Sequence, residues 1–268
     1  MSQFKQSWRK PNPHKHIPEA GSVDYPATKF FDNLSYIGNS TVGCFLVETS
    51  EGLILLDNMR PNNAEYIDQE IRSLGFDPAD LKAILITHGH ADHFGNAVYF
   101  RDKYNTKLYM SEIDERFGMD AEAQGGRPYM KFRVDGYLED NGEFTLGDTT
   151  IHTFLTPGHT PGCMSFIFQV FDEGRPHVAA IWGGTGVPKA MEDRKKLFDS
   201  CVRFADISLK YGCDVAISAH QYVDMTLKKL DIIRNIIDGV ANPFVLGYEG
   251  YHRFEMMLYH MYENSLKV

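Results

Sequence analysis

No stretch of this 268-residue chain approaches the run of about 20 apolar residues that a membrane-crossing helix needs. The first thirty residues carry Trp8-Arg9-Lys10-Pro11 and several prolines but no apolar export segment, so a cytoplasmic location without a membrane partner is expected. Cysteine is scarce. Cys44, Cys163, Cys201 and Cys213 form no CxxC pair, fit a reduced compartment or buried thiols, and include no candidate nucleophile. Basic runs are equally thin: the densest, Arg194-Lys195-Lys196, reads as a solvated helix face, and a formal charge of -9 argues against broad nucleic-acid binding. The expected partner is a small molecule.

What is present is apolar patterning, with 43% hydrophobic residues, enough for a substantial core. After a Pro-rich start, expected to be irregular over about residues 1–30, three apolar segments follow: Leu34 to Gly38, Val42 to Glu48 and Leu53 to Asp57. Asn39-Ser40-Thr41 and Ser50-Glu51-Gly52 separate them, and together they read as a β-meander. Asn62 to Leu74 has helical spacing, with Tyr66, Ile67, Ile71 and Leu74 on one side, and leads through Gly75 and Pro78 to the strand Ala83 to Ile86. Helices are predicted over Asn96 to Tyr104 and Glu112 to Gln124, and Val134 to Phe171 reads as several strands broken at Asp140-Asn141-Gly142, Gly147-Asp148 and Pro157-Gly158. Then come a strand Val178 to Trp182, a helix Lys189 to Tyr211, a strand Val215 to Ser218 and helices Met225 to Val240 and Tyr251 to Leu266. The last helix presents Phe254, Met257, Leu258, Met261 and Tyr262 on one face, for packing on the domain or, second, for a homo-oligomer contact. No linker, low-complexity block or short repeat divides the chain. The order predicts an α/β fold, a four-layer αββα sandwich in a single domain over 1–268, with ligands at the seam.

Thr87-His88-Gly89-His90-Ala91-Asp92-His93 places three imidazoles and a carboxylate within six positions at the end of that buried strand. Imidazole nitrogen and carboxylate oxygen are donors that Zn²⁺ and its first-row neighbours accept, and four of them on one short loop crowd a single ion, so the spacing favours two. Asp92 also stands where a helix N-cap would, a role worth about 1 kcal/mol that leaves the histidines unexplained. The isolated His14, His16, His152, His177, His252 and His260 read as ordinary surface or core side chains. His159 and His220 do not. Thr156-Pro157-Gly158-His159-Thr160-Pro161-Gly162 presents His159 in a tight turn after the strand Ile151 to Leu155, and His220 follows the apolar run Val215-Ala216-Ile217-Ser218-Ala219.

These motifs, with Asp135-Gly136, Leu146-Gly147 and Asn242-Pro243-Phe244, resemble the metallo-β-lactamase superfamily from about Leu34 to Leu266, and most resemble its subclass B3. The resemblance implies that His88, His90 and His159 bind one zinc while Asp92, His93 and His220 bind the other. Three ligands per ion leave a coordination position open, as catalytic zinc requires. The implied activity is hydrolysis: zinc lowers the pKa of water from 15.7 to about 7, and the hydroxide attacks the carbonyl of a cyclic amide such as a β-lactam. Asp92 then acts as a ligand that orients the water, not as a free base. Iron or manganese in place of zinc stays open. A glutamate at position 90 would mark the superfamily's di-iron redox branch, and His90 favours zinc hydrolysis.

Between His159 and His220 most superfamily hydrolases place an Asp or Cys ligand, but the run Ala180-Ile181-Trp182-Gly183-Gly184-Thr185-Gly186-Val187-Pro188 offers neither. That absence fits subclass B3. Where B3 enzymes carry serines that hold substrate or water, this chain has glycines and Thr185, which makes Thr185 the candidate substrate contact. The glycines otherwise read as a turn needing positive φ. Tyr129, Phe132, Trp182, Tyr222 and Phe244 are candidates to wall a pocket, with core packing as their commoner use. This departure, with the missing export signal, admits a lactonase or a thioester or ester hydrolase beside the β-lactamase. A di-iron redox protein and a binding module that has kept only the fold are the readings of other classes.

Overall fold

A computed structural model of the chain describes residues 22–235 and 240–267. A seven-stranded sheet runs in chain order through β1 (Asp24–Phe31), β2 (Leu34–Asn39), β3 (Gly43–Thr49), β4 (Gly52–Leu56), β5 (Leu81–Leu85), β6 (Lys107–Met110) and β7 (Gly136–Tyr137). Its first four strands pair antiparallel and the rest parallel. The second sheet has β8 (Gly142–Leu146), β9 (Thr149–Leu155), β10 (Met164–Asp172), β11 (Arg175–Ile181) and β12 (Val215–Ile217), in the spatial order β12-β11-β10-β9-β8. Only the pair β11–β12 is parallel among its strands.

Alternation along the strands dictates the layering. In β3, Phe45 and Val47 face the second sheet while Cys44 and Leu46 face outward, and β4 repeats this with Ile54 and Leu56 against Leu53 and Leu55. All eight are buried, because both faces of the sheet are covered. Between the sheets Phe45, Ile54 and Leu85 share one core with Phe166, Ile181 and Ile217. Outside the first sheet lie helices α1 (Ala64–Ser73), α2 (Ala91–Phe94) and α3 (Ala97–Tyr104), which supply Tyr66, Ile67, Ile71, Phe94 and Phe100 to a second core. The helix α4 (Glu112–Met119) follows β6. Outside the second sheet, α5 (Met191–Tyr211) brings Leu197, Cys201 and Phe204 onto Phe154, Ile167 and Ala180. The same third core takes Tyr251, Leu258 and Tyr262 from the last helix, Gly247–Ser265, so the expected four-layer αββα sandwich is the architecture observed. Among the described residues no helix is long and apolar enough to cross a membrane.

Several element boundaries differ from the sequence expectation, each for a local reason. β1 starts inside the segment expected to be irregular, because its pairing with β2 shifts register between Tyr25 and Thr28, around Pro26, and that shift hides the alternation. β6 is four residues long and starts with the exposed Lys107, too short a signal to register. The helix predicted to Gln124 stops at Met119, where the Asp120 carboxylate accepts the backbone N–H groups of Glu122 and Ala123 and turns the chain. The helix predicted from Met225 to Val240 is instead α6 (Gln221–Asp224) and α7 (Thr226–Arg234), divided by Met225 in the left-handed region (φ 60). Residues 236–239 of that prediction, like His14 and His16, lie outside the described residues. The last helix, now α8, begins at Gly247. Arg194 is no solvated side chain: its guanidinium donates to the carbonyls of Pro188 and Ser265 at 2.9 Å each and ties α5 to the end of α8.

One group in this outer layer sets a pH dependence. Glu255 on α8 is 6% exposed, and burial pushes its pKa up to about 7 although the Ser208 and Tyr251 hydroxyls pull it the other way. A carboxyl raised in the folded state gives a contribution that is whole below the unfolded value near 4.5 and is lost as pH rises through about 7. Glu255→Gln should therefore match the wild type in urea unfolding near pH 5 and exceed it by about 2 kcal/mol at pH 8. A difference that does not change with pH would refute the assignment.

Candidate metal centre

The carboxyl ends of strands from both sheets meet at one cleft. β5 leads to His88, β9 to His159, β12 to His220, β4 to Asp57 and β11 to the Gly183–Gly186 loop. Within the first motif His90, not Asp92, is the N-cap of α2, and Asp92 lies in the helix's first turn without the capping role expected from sequence. That short helix turns the side chains of Asp92 and His93 toward the same opening.

The six residues fall into two trios. The donor atoms of His88, His90 and His159 lie within 4.8 Å of one another, as do those of Asp92, His93 and His220. His90 Nδ1 is 3.1 Å from His159 Nε2, His93 Nε2 is 3.3 Å from His220 Nε2, and Asp92 Oδ2 is 4.0 Å from both of the latter nitrogens. In four of the five imidazoles the other ring nitrogen is tied back into the protein. His88 Nδ1 meets the Thr87 hydroxyl at 3.0 Å, His93 Nδ1 meets Asp57 Oδ2 at 2.7 Å, His159 Nδ1 meets the Gly186 carbonyl at 2.7 Å and His220 Nδ1 meets the Thr41 carbonyl at 3.2 Å. Such partners fix ring orientation and leave Nε2 facing the centre of each trio. His88 Nε2 is buried and has no hydrogen-bond partner within the protein, an arrangement that costs free energy unless something outside the chain accepts it.

Electrostatics puts these groups in ligating form. Burial and the neighbouring imidazoles hold His88 well below its ordinary pKa, and burial takes His90 to about 3 and His159 to about 4. Burial and His93 lower His220 as well. Burial alone would raise Asp92 and lower His93, but His93 and His220 draw the carboxyl down to about 2, and Asp57 with Asp92 raises the imidazole. Most of the imidazoles are thus neutral and the carboxylate ionised, the states that bind metal ions.

Two buried carboxylates that the sequence reading passed over hold the loops. Asp57, 2% exposed, accepts from the Thr87 backbone N–H (2.8 Å) and hydroxyl (2.9 Å) as well as pairing with His93. Asp114, fully buried, accepts from Gly89 N–H (2.8 Å), Gly162 N–H (2.6 Å) and the Thr160 hydroxyl (2.6 Å), so one side chain joins the first motif to the His159 turn. The signal for Asp57 was available: it ends the apolar run Leu53 to Leu56 as His88 follows that of β5. Asp114 left none, since its partners are 25 to 48 residues away.

The Gly183–Gly186 loop is built differently from the expected turn. None of Gly183, Gly184 and Gly186 has positive φ. They are glycines because of close approach: a Cβ on Gly184 would lie 2.6 Å from His159 Cβ, and one on Gly186 2.7 Å from its Cε1. Thr185 lines the cleft, although its hydroxyl oxygen is buried and unpartnered. Of the aromatic candidates, Tyr222 lines the cleft, 5.7 Å ring to ring from His220. Trp182 and Phe244 are core, Phe132 packs on the second core and Tyr129 is exposed. The cleft encloses about 530 Å³ and is lined further by Arg60 and Arg127.

A family model described as the metallo-beta-lactamase superfamily matches residues 38–170. A probable metallo-hydrolase of Bacillus subtilis is 32% identical over 111 residues, which is 40% of this chain and 51% of that protein. N-acyl homoserine lactonase AttM of Agrobacterium fabrum is 35% identical over 111 residues, 39% of this chain and 41% of the lactonase. The chain spans about half the length, or less, of these curated relatives. A subclass B3 metallo-beta-lactamase of Bradyrhizobium japonicum has the same fold, with a TM-score of 0.79 and 24% identity over 98% of this chain and 96% of that one. That family match spans the first motif and the His159 turn, His220 joins them in the same cleft of this chain, and by the match the chain belongs to the metallo-beta-lactamase superfamily.

Proposed function

We propose that the chain is a metal-dependent hydrolase with a dinuclear zinc centre, acting on the carbonyl of a cyclic amide such as a β-lactam. The observation that carries this reading is the pair of three-ligand trios side by side in one cleft. His88, His90 and His159 would hold one ion and Asp92, His93 and His220 the other, and the unpartnered His88 Nε2 fits such an occupant. Bound zinc supplies hydroxide near neutral pH and polarises the scissile carbonyl. The protein's part is positioning. Asp57 keeps the His93 ring turned toward its trio, the Gly186 carbonyl does the same for His159, and the ionised Asp92 accepts a proton-bearing oxygen beside it as a hydrogen-bond donor. Thr185 would belong to the substrate wall, since it lines the same cleft.

A lactone is the second substrate reading, supported by the similarity to an N-acyl homoserine lactonase. Both substrates present an acyl carbonyl to the same nucleophile, so the site chemistry does not separate them.

Purified from zinc-containing medium, the protein should carry about two equivalents of zinc per chain; metal content near zero would sink the dinuclear reading. His88→Ala and His220→Ala should each abolish turnover while keeping the wild-type far-UV spectrum, and full activity in either variant would remove that residue from the ligand set. A chromogenic cephalosporin and a homoserine lactone, each assayed with and without chelator, decide the substrate. Chelator-sensitive cephalosporin turnover supports the first reading, lactone turnover alone supports the second, and turnover of neither overturns both.

A further inference from the structure

The cleft carries cationic side chains in a chain whose formal charge is -9. Arg60 and Arg127 both line it, and Asp92 is the acidic residue among its lining side chains. Arg60 already faces that carboxylate, with Nη2 3.8 Å from Asp92 Oδ2. Arg127 has no such counterpart. Every other described arginine meets a carboxylate, carbonyl or hydroxyl, as Arg133 meets Glu115, Arg203 meets Asp140 and Arg194 meets the Pro188 carbonyl. The guanidinium of Arg127 meets none among the described residues.

Its backbone is anchored, not adrift. Gln124, 2% exposed, donates from Nε2 to the carbonyls of Gly89 (3.1 Å) and Phe117 (3.0 Å), and the Arg127 N–H returns to the Gln124 carbonyl at 3.1 Å. Gly125 and Gly126, with φ of 57 and 87, make the tight turn between them. Gly89 stands between His88 and His90, so the loop bearing Arg127 is pinned to the metal motif itself. The Arg127 side chain, exposed at the site's edge and without a protein partner among the described residues, offers two parallel N–H donors, the fork that matches a planar carboxylate.

We infer that Arg127 is a specificity-determining residue that selects substrates carrying a carboxylate on the His90 side of the cleft. The inference rests on the hydrolase reading for its kinetic test but not for its binding test. Two matched pairs serve as probes: benzylpenicillin with its methyl ester, and one acyl group as its glutathione thioester and its neutral N-acetylcysteamine thioester. In the zinc-loaded wild type, the anionic member of at least one pair should be favoured in kcat/KM by about tenfold, with the advantage shrinking as salt is raised. Arg127→Ala should bring that ratio close to one, Arg127→Lys should restore part of it, and the surface variant Arg253→Ala should leave it as in the wild type. A ratio unchanged in Arg127→Ala, or absent from the wild type, overturns the inference. If no probe is hydrolysed, the hydrolase reading is still judged by the cephalosporin and lactone assays above, and succinate binding by titration calorimetry decides the inference: weaker binding by about tenfold in Arg127→Ala supports it, and equal binding overturns it.

Discussion

The site depends on buried carboxylates that stand behind the candidate ligands. Asp114 has no solvent exposure and gathers three donors from two loops separated by more than forty residues. A carboxylate in that setting is costly to desolvate, and burial raises its pKa to about 6 even against three hydrogen bonds. The compensation is geometric. Gly89 and Gly162 lack side chains where they approach Asp114, and a Cβ on either would sit 2.6 Å from its backbone atoms. Both loops therefore close on one side chain at a distance only glycine permits.

Asp57 plays the matching part for the second trio. It occupies the left-handed region at φ 62, a conformation that a non-glycine residue holds only when its surroundings over-determine it. Those surroundings are the Thr87 N–H and hydroxyl and the His93 ring. The Thr87 hydroxyl reaches His88 Nδ1 as well, so Asp57 and Thr87 link a histidine from each trio through hydrogen bonds of 3.0 Å or less. Orientation passes from a strand end to both metal sites along a path of fixed polar contacts.

Sequence made the ligand motifs and the layer order legible for one reason: both are local. Six-residue density at His88 to His93 and strand-end placement of His159 and His220 can be counted along the chain, and so can the apolar runs of β3 and β4. Asp114, the Gly186 and Thr41 carbonyls and Arg127 escaped because their roles exist only between distant segments. The Gly183–Gly186 run was visible but misread, since composition does not tell a glycine chosen for φ from one chosen for clearance over an imidazole. β1 was lost to a bulge beside Pro26.

Each trio draws two residues from the motif after β5 and one from the second sheet, His159 after β9 for one and His220 after β12 for the other. An ion in either trio would therefore be a cross-link between the two halves of the sandwich. The four described cysteines are all free and buried, so no disulfide does that work here. Metal affinity and the docking of one sheet on the other become a single thermodynamic quantity: whatever loosens the Phe45–Phe166 core weakens the ions' hold, and each bound ion resists the sheets' separation in proportion to the logarithm of its excess over its dissociation constant.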